Sequence, residues 1–223
     1  MKLYYHPAST TSRPVMLYLG ETGTEIEMEV VDLFTGANYG APYTAINPNQ
    51  LVPVLDDGDF RLTESSAILK YLAEKSGSSL YPTGLQARAR VNERMDWLNT
   101  QMRRELNFSL VYPQVFSFHK FDSAEGQAEK LRRGREQTLR YMGVLNNHII
   151  GPKPYLCGDH LTIADLFGGS IVAMAELFGS DLRKYPNVQG WLGRLKELQS
   201  WKPTFATIEG YAASVRNPDL VVL

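Results

Sequence analysis

Apolar residues recur along this chain at two different periods, and the change of period divides it. In the first third the apolar runs are short and bounded by turn residues. Leu3 to Tyr5 reads as a strand closed by His6-Pro7. Pro14 opens a helix to Glu21 carrying Val15, Leu17, Tyr18 and Leu19, because proline is tolerated in a helix only in its first turn; Thr11 or Ser12 is the expected N-cap. Glu27 to Val31 alternates and is β-branched, which predicts the next strand. A strand, helix, strand order requires a parallel pair with a right-handed crossover. Val54-Leu55, the turn signal Asp57-Gly58 and Phe60 to Leu62 then predict an antiparallel hairpin. A helix follows from Thr63 or Glu64 as N-cap, with Ile68, Leu69 and Leu72 at helical spacing. The expected product is a mixed four-stranded sheet with helices.

After a stretch rich in Gly, Ser and Pro from Ser76 to Gly84, every pattern is helical. This places one domain at residues 1–78, a linker at 79–85 and an all-α domain at 86–223. Val91, Met95, Leu98, Met102 and Leu106 form the stripe of one long amphipathic helix, continued by Phe108, Tyr112 and Phe116 four apart; Pro113 is expected to kink or end it. Leu131, Leu139, Met142, Leu145 and Ile149 stripe the next helix, which Gly151-Pro152 stops. Thr162 with Asp165 three residues on predicts a capping box at the start of a helix to Phe178 that is apolar on nearly every face and therefore buried. Asp165 is accordingly read as structural. Val188 to Leu198 and Thr204 to Ala213 are shorter helices, and the apolar tail Leu220 to Leu223 is expected to cover a pocket or pack on a partner.

Composition narrows the function. The 23 Lys plus Arg against 24 Asp plus Glu leave no basic face for nucleic acid, and Arg132, Arg133 and Arg135 read as a solvated helix face. Cys157 is the single cysteine, so no intramolecular disulfide or Cys-x-x-Cys redox centre exists, and no cysteine cluster for zinc; its apolar setting predicts a buried, inert thiol. Met1 to Tyr5 is too short and polar for a signal peptide, and the longest apolar stretch, from Ile163, is interrupted by Asp165 and Glu176. A soluble cytoplasmic protein is expected.

Two stretches carry candidate chemistry. Pro53 stands just before a strand, where its missing N–H costs nothing, and a cis Val52-Pro53 bond would turn the Val52 N–H and C=O toward an extended peptide. Glu64 then offers a carboxylate to an amine, and Ser65 with the helix N-terminal N–H groups suits a carboxylate. A small zwitterionic peptide matches that set. Ser9, in the run Ser9-Thr10-Thr11-Ser12, lies between the end of a strand and the start of a helix, where the helix dipole favours an anion such as a sulfur anion.

The ordered set Asn47-Pro48-x-x-x-Val52-Pro53, a hairpin, then Glu64-Ser65 resembles the glutathione-binding half of the soluble glutathione S-transferases, and Leu156 to Asp165 resembles the start of the central helix in their second domain. The resemblance covers essentially the whole chain and implies a thioredoxin-like domain followed by an all-helical one. It implies that Val52, before a cis Pro53, pairs backbone to backbone with the cysteinyl unit of glutathione, that Glu64 and Ser65 hold the γ-glutamyl end, and that Gln50, with Leu51 beside it, lies near the glycine end. Asn38 stands where relatives present a basic side chain to the glycine carboxylate, with Tyr39 adjacent. Theta-, delta- and zeta-like members place a catalytic serine four residues before an arginine; Ser9 stands four before Arg13, which implies that its hydroxyl donates to the glutathione sulfur, with Thr10 and Thr11 as alternative donors. A free thiol has a pKa near 8.5, so only a few per cent is ionised at neutral pH, and each unit of depression corresponds to about 1.4 kcal/mol. The family builds its hydrophobic acceptor pocket where Phe108, Tyr112 and Phe116 lie, and the theta-like run Trp97-x-x-Thr100-x-x-Arg103 puts Thr100 near glutathione and Arg103 near the acceptor. The implied activity is attack of a glutathione thiolate on a hydrophobic electrophile, with glutathione as co-substrate, no metal and a homodimeric assembly. A glutathione-dependent dehalogenase, isomerase, disulfide reductase or peroxide reductase would use the same site, and a binder of glutathione or a hydrophobic ligand without turnover is the alternative of another class.

Overall fold

The structure is a computed structural model that describes residues 1–223. Strand β1 (Lys2–Tyr5) leads through α1 (Arg13–Thr22) to β2 (Glu27–Val30), which pairs parallel to it with Leu3 opposite Met28. A one-turn helix α2 (Ala41–Thr44) precedes the hairpin of β3 (Val54–Asp57) and β4 (Phe60–Leu62). β3 lies antiparallel to β1 with Leu55 opposite Leu3, and to β4 with Leu55 opposite Leu62, so the sheet order is β2-β1-β3-β4. Helix α3 (Ser65–Lys75) closes this half, which has the mixed four-stranded, thioredoxin-like arrangement expected from the strand and helix order. Its Ile68, Leu69 and Leu72 are buried against the same core as Leu3, Leu17 and Leu55. A second, smaller core of Tyr4, Val31, Tyr43, Val52 and Val54 lies on the other side of the sheet and anchors the chain just before Pro53.

The N-caps differ from expectation. Ser12 precedes α1 with helical dihedrals and caps nothing; its hydroxyl oxygen instead accepts the His6 N–H at 3.3 Å. Glu64 occupies the N-cap of α3 at φ 65°, ψ 110°, and its side chain makes no capping bond.

Beyond α3 the chain is helical. Helix α4 (Leu85–Trp97) runs on through a π-wound stretch, Leu98–Val111, into α5 (Tyr112–Val115). The helix ends just past Pro113, at Val115, with Phe116 already extended, as the proline led one to expect. The local winding widens: Tyr112 donates its N–H to the Asn107 carbonyl five residues back, which makes room for a ring that has no N–H to give. Helix α6 (Ala124–Val144) continues similarly through Leu145–Ile150, and α7 (Ile163–Leu177), α8 (Pro186–Lys196) and α9 (Trp201–Val215) complete the fold. Helix α7 is the buried centre, with every residue from Ile163 to Ala175 inaccessible, and it packs against α1, α4, α8 and the π-wound stretch. Its first turn carries the Thr162–Asp165 capping box. The apolar tail folds back on its own chain: Val221 exchanges hydrogen bonds with the Gln114 amide, Arg135 donates to the Val222 carbonyl at 2.7 Å, and Leu223 N–H reaches the Ser180 hydroxyl. No helix is long and apolar enough to cross a membrane.

Close approach of α6 to the π-wound stretch depends on Gly134, where a Cβ would lie 2.7 Å from the Ser109 carbonyl carbon and oxygen. Backbone cannot step aside as a side chain can. Gly134→Ala is therefore expected to destabilise the fold by about 1–3 kcal/mol, read as a lower urea midpoint at unchanged m-value.

Candidate functional site

The turn after β1 is held by its own backbone. Ser9 N–H donates to the His6 carbonyl at 3.0 Å, and the Ser9 carbonyl receives the N–H groups of Ser12 and Arg13. His6 is buried, and its Nδ1 accepts the Ala8 N–H at 3.2 Å; burial pushes its pKa down, against the pull of Asp32 at 3.7 Å from Nε2. The imidazole is thus neutral at neutral pH and serves as a fixed acceptor in the turn.

The hydroxyls form a directed chain. Thr11 donates to the Val52 carbonyl at 2.9 Å, and a carbonyl can only accept, so the single Thr11 proton points there. Ser9 Oγ and Thr11 Oγ1 are 3.0 Å apart, which makes Ser9 the donor in that contact. The Ser9 oxygen in turn accepts the N–H groups of Thr11 and Ser12, each at 3.3 Å. Two N–H groups pulling on its lone pairs polarise the Ser9 hydroxyl and strengthen it as a donor. A thiolate placed beside it is a stronger acceptor than a threonine oxygen and would take over the hydrogen bond, the proton staying on Ser9.

Thr10, between them in sequence, is buried and serves the other side. Its oxygen accepts the Tyr112 hydroxyl at 2.7 Å and an Arg13 Nη2–H at 3.3 Å. Tyr112 continues an edge-to-face series with Phe108 (5.1 Å between ring centroids) and Phe116 (5.3 Å), and the Arg103 guanidinium lies 5.0 Å over the Phe108 ring while donating to Asn99. The hydroxyl turn and the aromatic wall therefore meet at one hydrogen bond.

Opposite the turn, Val52-Pro53 is cis, and the Val52 N–H donates to no group of the chain. The loop before it is pinned from behind: Asn38 donates to the Gln50 carbonyl at 2.9 Å, and Tyr43 and Asn47 each donate to the Leu51 carbonyl at 2.7 Å. Asn38 is buried, with its donor committed to Gln50, whereas Leu51 is exposed. Gln50 and Glu64 are the two non-glycine residues with positive φ, at 60° and 65°. Such backbone is costly for a residue with a Cβ. Glu64 is exposed with no ion-pair partner, and Ser65 begins α3 with its hydroxyl unbonded within the chain.

Thr100 is exposed and bonded through its hydroxyl to the Asp96 carbonyl. Phe34, Phe118, His119 and Tyr211, none of them a candidate from the sequence, join the expected Tyr112 and Phe116 through the fold. Phe34, Tyr211, Phe116 and Phe118 stack nearly parallel, with centroid spacings of 5.4 to 5.6 Å, and Phe34 also meets His6 edge-on. His119 stacks on Tyr112 at 5.2 Å, and burial with Lys130 nearby pushes its pKa down. Only Phe118-His119 carried a signal in sequence, as ring residues just beyond the Phe108 series; Phe34 and Tyr211 are isolated in theirs. Cys157 is half-buried, not fully buried as its apolar neighbours suggested, and desolvation pushes its thiol up to about 11, as suits an inert cysteine.

A cis-proline loop facing a hydroxyl turn, on a thioredoxin-like sheet backed by a helical domain, defines a class built to hold a thiol peptide. Comparison with known proteins gives the family. The glutathione S-transferase N-terminal domain matches residues 1–74 and the C-terminal domain residues 107–199. Human glutathione S-transferase theta-2B is 32% identical over 199 residues, covering 88% of this chain and 80% of that protein. Among solved structures, human glutathione transferase theta-2 in complex with glutathione and an unknown ligand superposes with a TM-score of 0.85 at 28% identity, covering 99% of this chain and 92% of that one. A delta-class glutathione transferase of Nilaparvata lugens gives 0.78 at 27% identity over 96% and 99%. The chain belongs to the glutathione S-transferase family.

Proposed function

We propose that this protein is a glutathione transferase that ionises bound glutathione at the Ser9 hydroxyl and directs the thiolate at a hydrophobic electrophile. The observation that carries this reading is the chain from Ser9 through Thr11 to the Val52 carbonyl, which holds a polarised hydroxyl beside the cis-proline loop. Glutathione lies extended along that loop, its cysteinyl C=O on the free Val52 N–H and its cysteinyl N–H on the Val52 C=O, which has a second lone pair beside the Thr11 bond. Pro53 sets the direction of that backbone. Glu64 takes the γ-glutamyl ammonium, and Ser65 with the first N–H groups of α3 takes the γ-glutamyl carboxylate. Gln50 and Leu51 border the glycine end, with Asn38 acting through its hold on Gln50.

Ser9 turns its proton from Thr11 to the sulfur. One charge-assisted hydrogen bond is worth about 1.5–3 kcal/mol, or one to two pKa units. Thr10 and Thr11 position this donor. The acceptor lies against Phe108, Tyr112 and Phe116, with Arg103 behind them, so that thiolate and electrophile are held together and the bimolecular step becomes effectively unimolecular. Thr100 takes a lesser part, near glutathione on the outer side. Residues 1–78 form the glutathione unit and 86–223 the acceptor unit, joined by 79–85; the protein acts as a homodimer in the cytoplasm.

The test is the thiolate absorbance of bound glutathione against pH. A bound pKa clearly below the free value near 8.5 is expected; binding without depression would sink the transferase mechanism and leave a glutathione binder. Glu64→Ala is expected to raise KM for glutathione about 10- to 100-fold, the loss of a charged hydrogen bond, with kcat at saturation nearly kept because the γ-glutamyl contact is the same in ground and transition states. Steady-state kinetics on the two substrates separate these quantities.

A further inference from the structure

Arg13 is the least expected group in the molecule. It is completely buried, yet no carboxylate lies within ion-pairing distance of it. It occupies the first position of α1, where the helix dipole disfavours a cation. One Nη1–H goes to the Ala8 carbonyl at 2.7 Å; Nη2 lies 3.2 Å from the Ser170 carbonyl, 3.1 Å from Met174 Sδ and 3.3 Å from the Thr10 hydroxyl. Nε has no partner, and the guanidinium carbon sits 4.9 Å over the Phe205 ring. Burial brings its pKa down to about 10, with Tyr112 opposing, which leaves it cationic at neutral pH. Carbonyls, a thioether and a ring soften the field of that cation without cancelling it, so a fully desolvated charge stands uncompensated in the resting fold.

Its partners locate the missing anion. Ala8 and Thr10 flank Ser9, so the guanidinium lies directly under the turn whose hydroxyl faces the sulfur. We infer that Arg13 is a positioning residue whose counterion is the glutathione thiolate itself, the buried charge favouring the ionised thiol through the Ser9 turn. This rests on the transferase reading above. The other charged and titratable groups around Arg13 do not supply the anion. His6, on the turn, is neutral, with Asp32 beyond it. Tyr112, on α5, is bonded as a phenol to Thr10. Glu176, on α7, pairs with Lys196, and Glu209, on α9, is exposed to water. A unit charge on the order of 10 Å away, at an effective dielectric near 20, shifts a pKa by about one unit.

The experiment supplies the counterion deliberately. Met174→Glu puts a carboxylate where Sδ now touches Nη2 while leaving Arg13, Ser9, Val52 and Glu64 in place. The bound thiol pKa is expected to rise by about one unit, about three- to eightfold less thiolate at pH 7, with affinity for S-methylglutathione, which has no thiol to ionise, unchanged within about twofold. The isosteric Met174→Gln should leave both unchanged. A tie that merely joins two domains would be strengthened by the new ion pair and would leave the thiol pKa alone, and that result overturns the assignment. If Met174→Glu does not fold, the same titration on Arg13→Lys and Arg13→Gln decides: depression kept by the charged variant and lost by the neutral one supports the assignment, and equal values in the two overturn it. A native protein that leaves the thiol at its free value overturns instead the transferase reading on which this rests.

Discussion

Ser9→Ala is expected to lower kcat/KM for glutathione conjugation at neutral pH by about 8- to 25-fold, the fall in thiolate at pH 7 when the bound thiol pKa returns to about 8.5 from one to two units below it. The loss should be one of ionisation. The variant's bound thiol titrates one to two units higher, so its rate–pH profile moves up by the same amount. Above the free thiol pKa near 8.5 the thiol ionises unaided, and the two enzymes should converge within a few fold. Affinity for S-methylglutathione should hardly change, because Val52, Glu64 and Ser65 are untouched. Thr11→Val separates the roles within the turn: it removes the hydroxyl that bridges Ser9 to the Val52 carbonyl while keeping the shape of the side chain. A rate lost in Thr11→Val and kept in Ser9→Ala would transfer the donor role to Thr11 and overturn the assignment to Ser9.

The largest effect on stability is expected at Asp165. Its carboxylate accepts the Leu156 N–H at 2.8 Å, the Thr162 N–H at 2.9 Å, the Thr162 hydroxyl at 2.8 Å and the Trp191 indole N–H at 3.0 Å, all buried. The box expected at the start of α7 is therefore also the point where the approach loop and α8 are tied to the central helix. A cap replaced by Ala ordinarily costs about 0.5–2 kcal/mol. Asp165→Ala strands several buried donors at once, and about 3–5 kcal/mol is expected, a large part of the stability of a typical domain. Asn is no rescue. Each carboxylate oxygen takes two donors, so either orientation of an amide turns its NH2 against two of them. Urea unfolding measures the loss, and the thiol pKa of the fraction that remains folded should equal the native value. A changed thiol pKa there would contradict the purely structural reading of Asp165.

Local signals in the sequence were legible because their physics is local. Pro53 before a strand, Asp57-Gly58 between two short apolar runs, and Thr162 three residues before Asp165 each specify backbone within a few residues, and the parallel pairing of β1 with β2 followed from the strand, helix, strand succession. Local reading failed where packing overruled it. Ser12 looked like a cap, but the turn directs its hydroxyl to His6, and Glu64 holds a cap position without capping. Pro113 marked the helix end at Val115, but nothing local announced the widened winding before it, in which the Tyr112 N–H reaches Asn107 instead of the carbonyl four residues back. The apolar tail was expected to cover a pocket or pack on a partner, and Gln114, Arg135 and Ser180 fix its backbone on the helical domain.

The order of elements and the residue types of a site for a small zwitterionic peptide were legible in the chain because they depend on spacing along it, and the motifs also carried the resemblance to the family that comparison then established. Only the tertiary structure decided which of those residues meet. The bond from Thr11 to Val52 spans 41 positions, that from Tyr112 to Thr10 spans 102, and that from Arg13 to the Ser170 carbonyl spans 157. In sequence Arg13 served only to mark a spacing from Ser9. Its burial without a counterion, the feature that gives it a role, is a property of the walls that α7 and α9 close around it, and no pattern of neighbours in the chain encodes a wall.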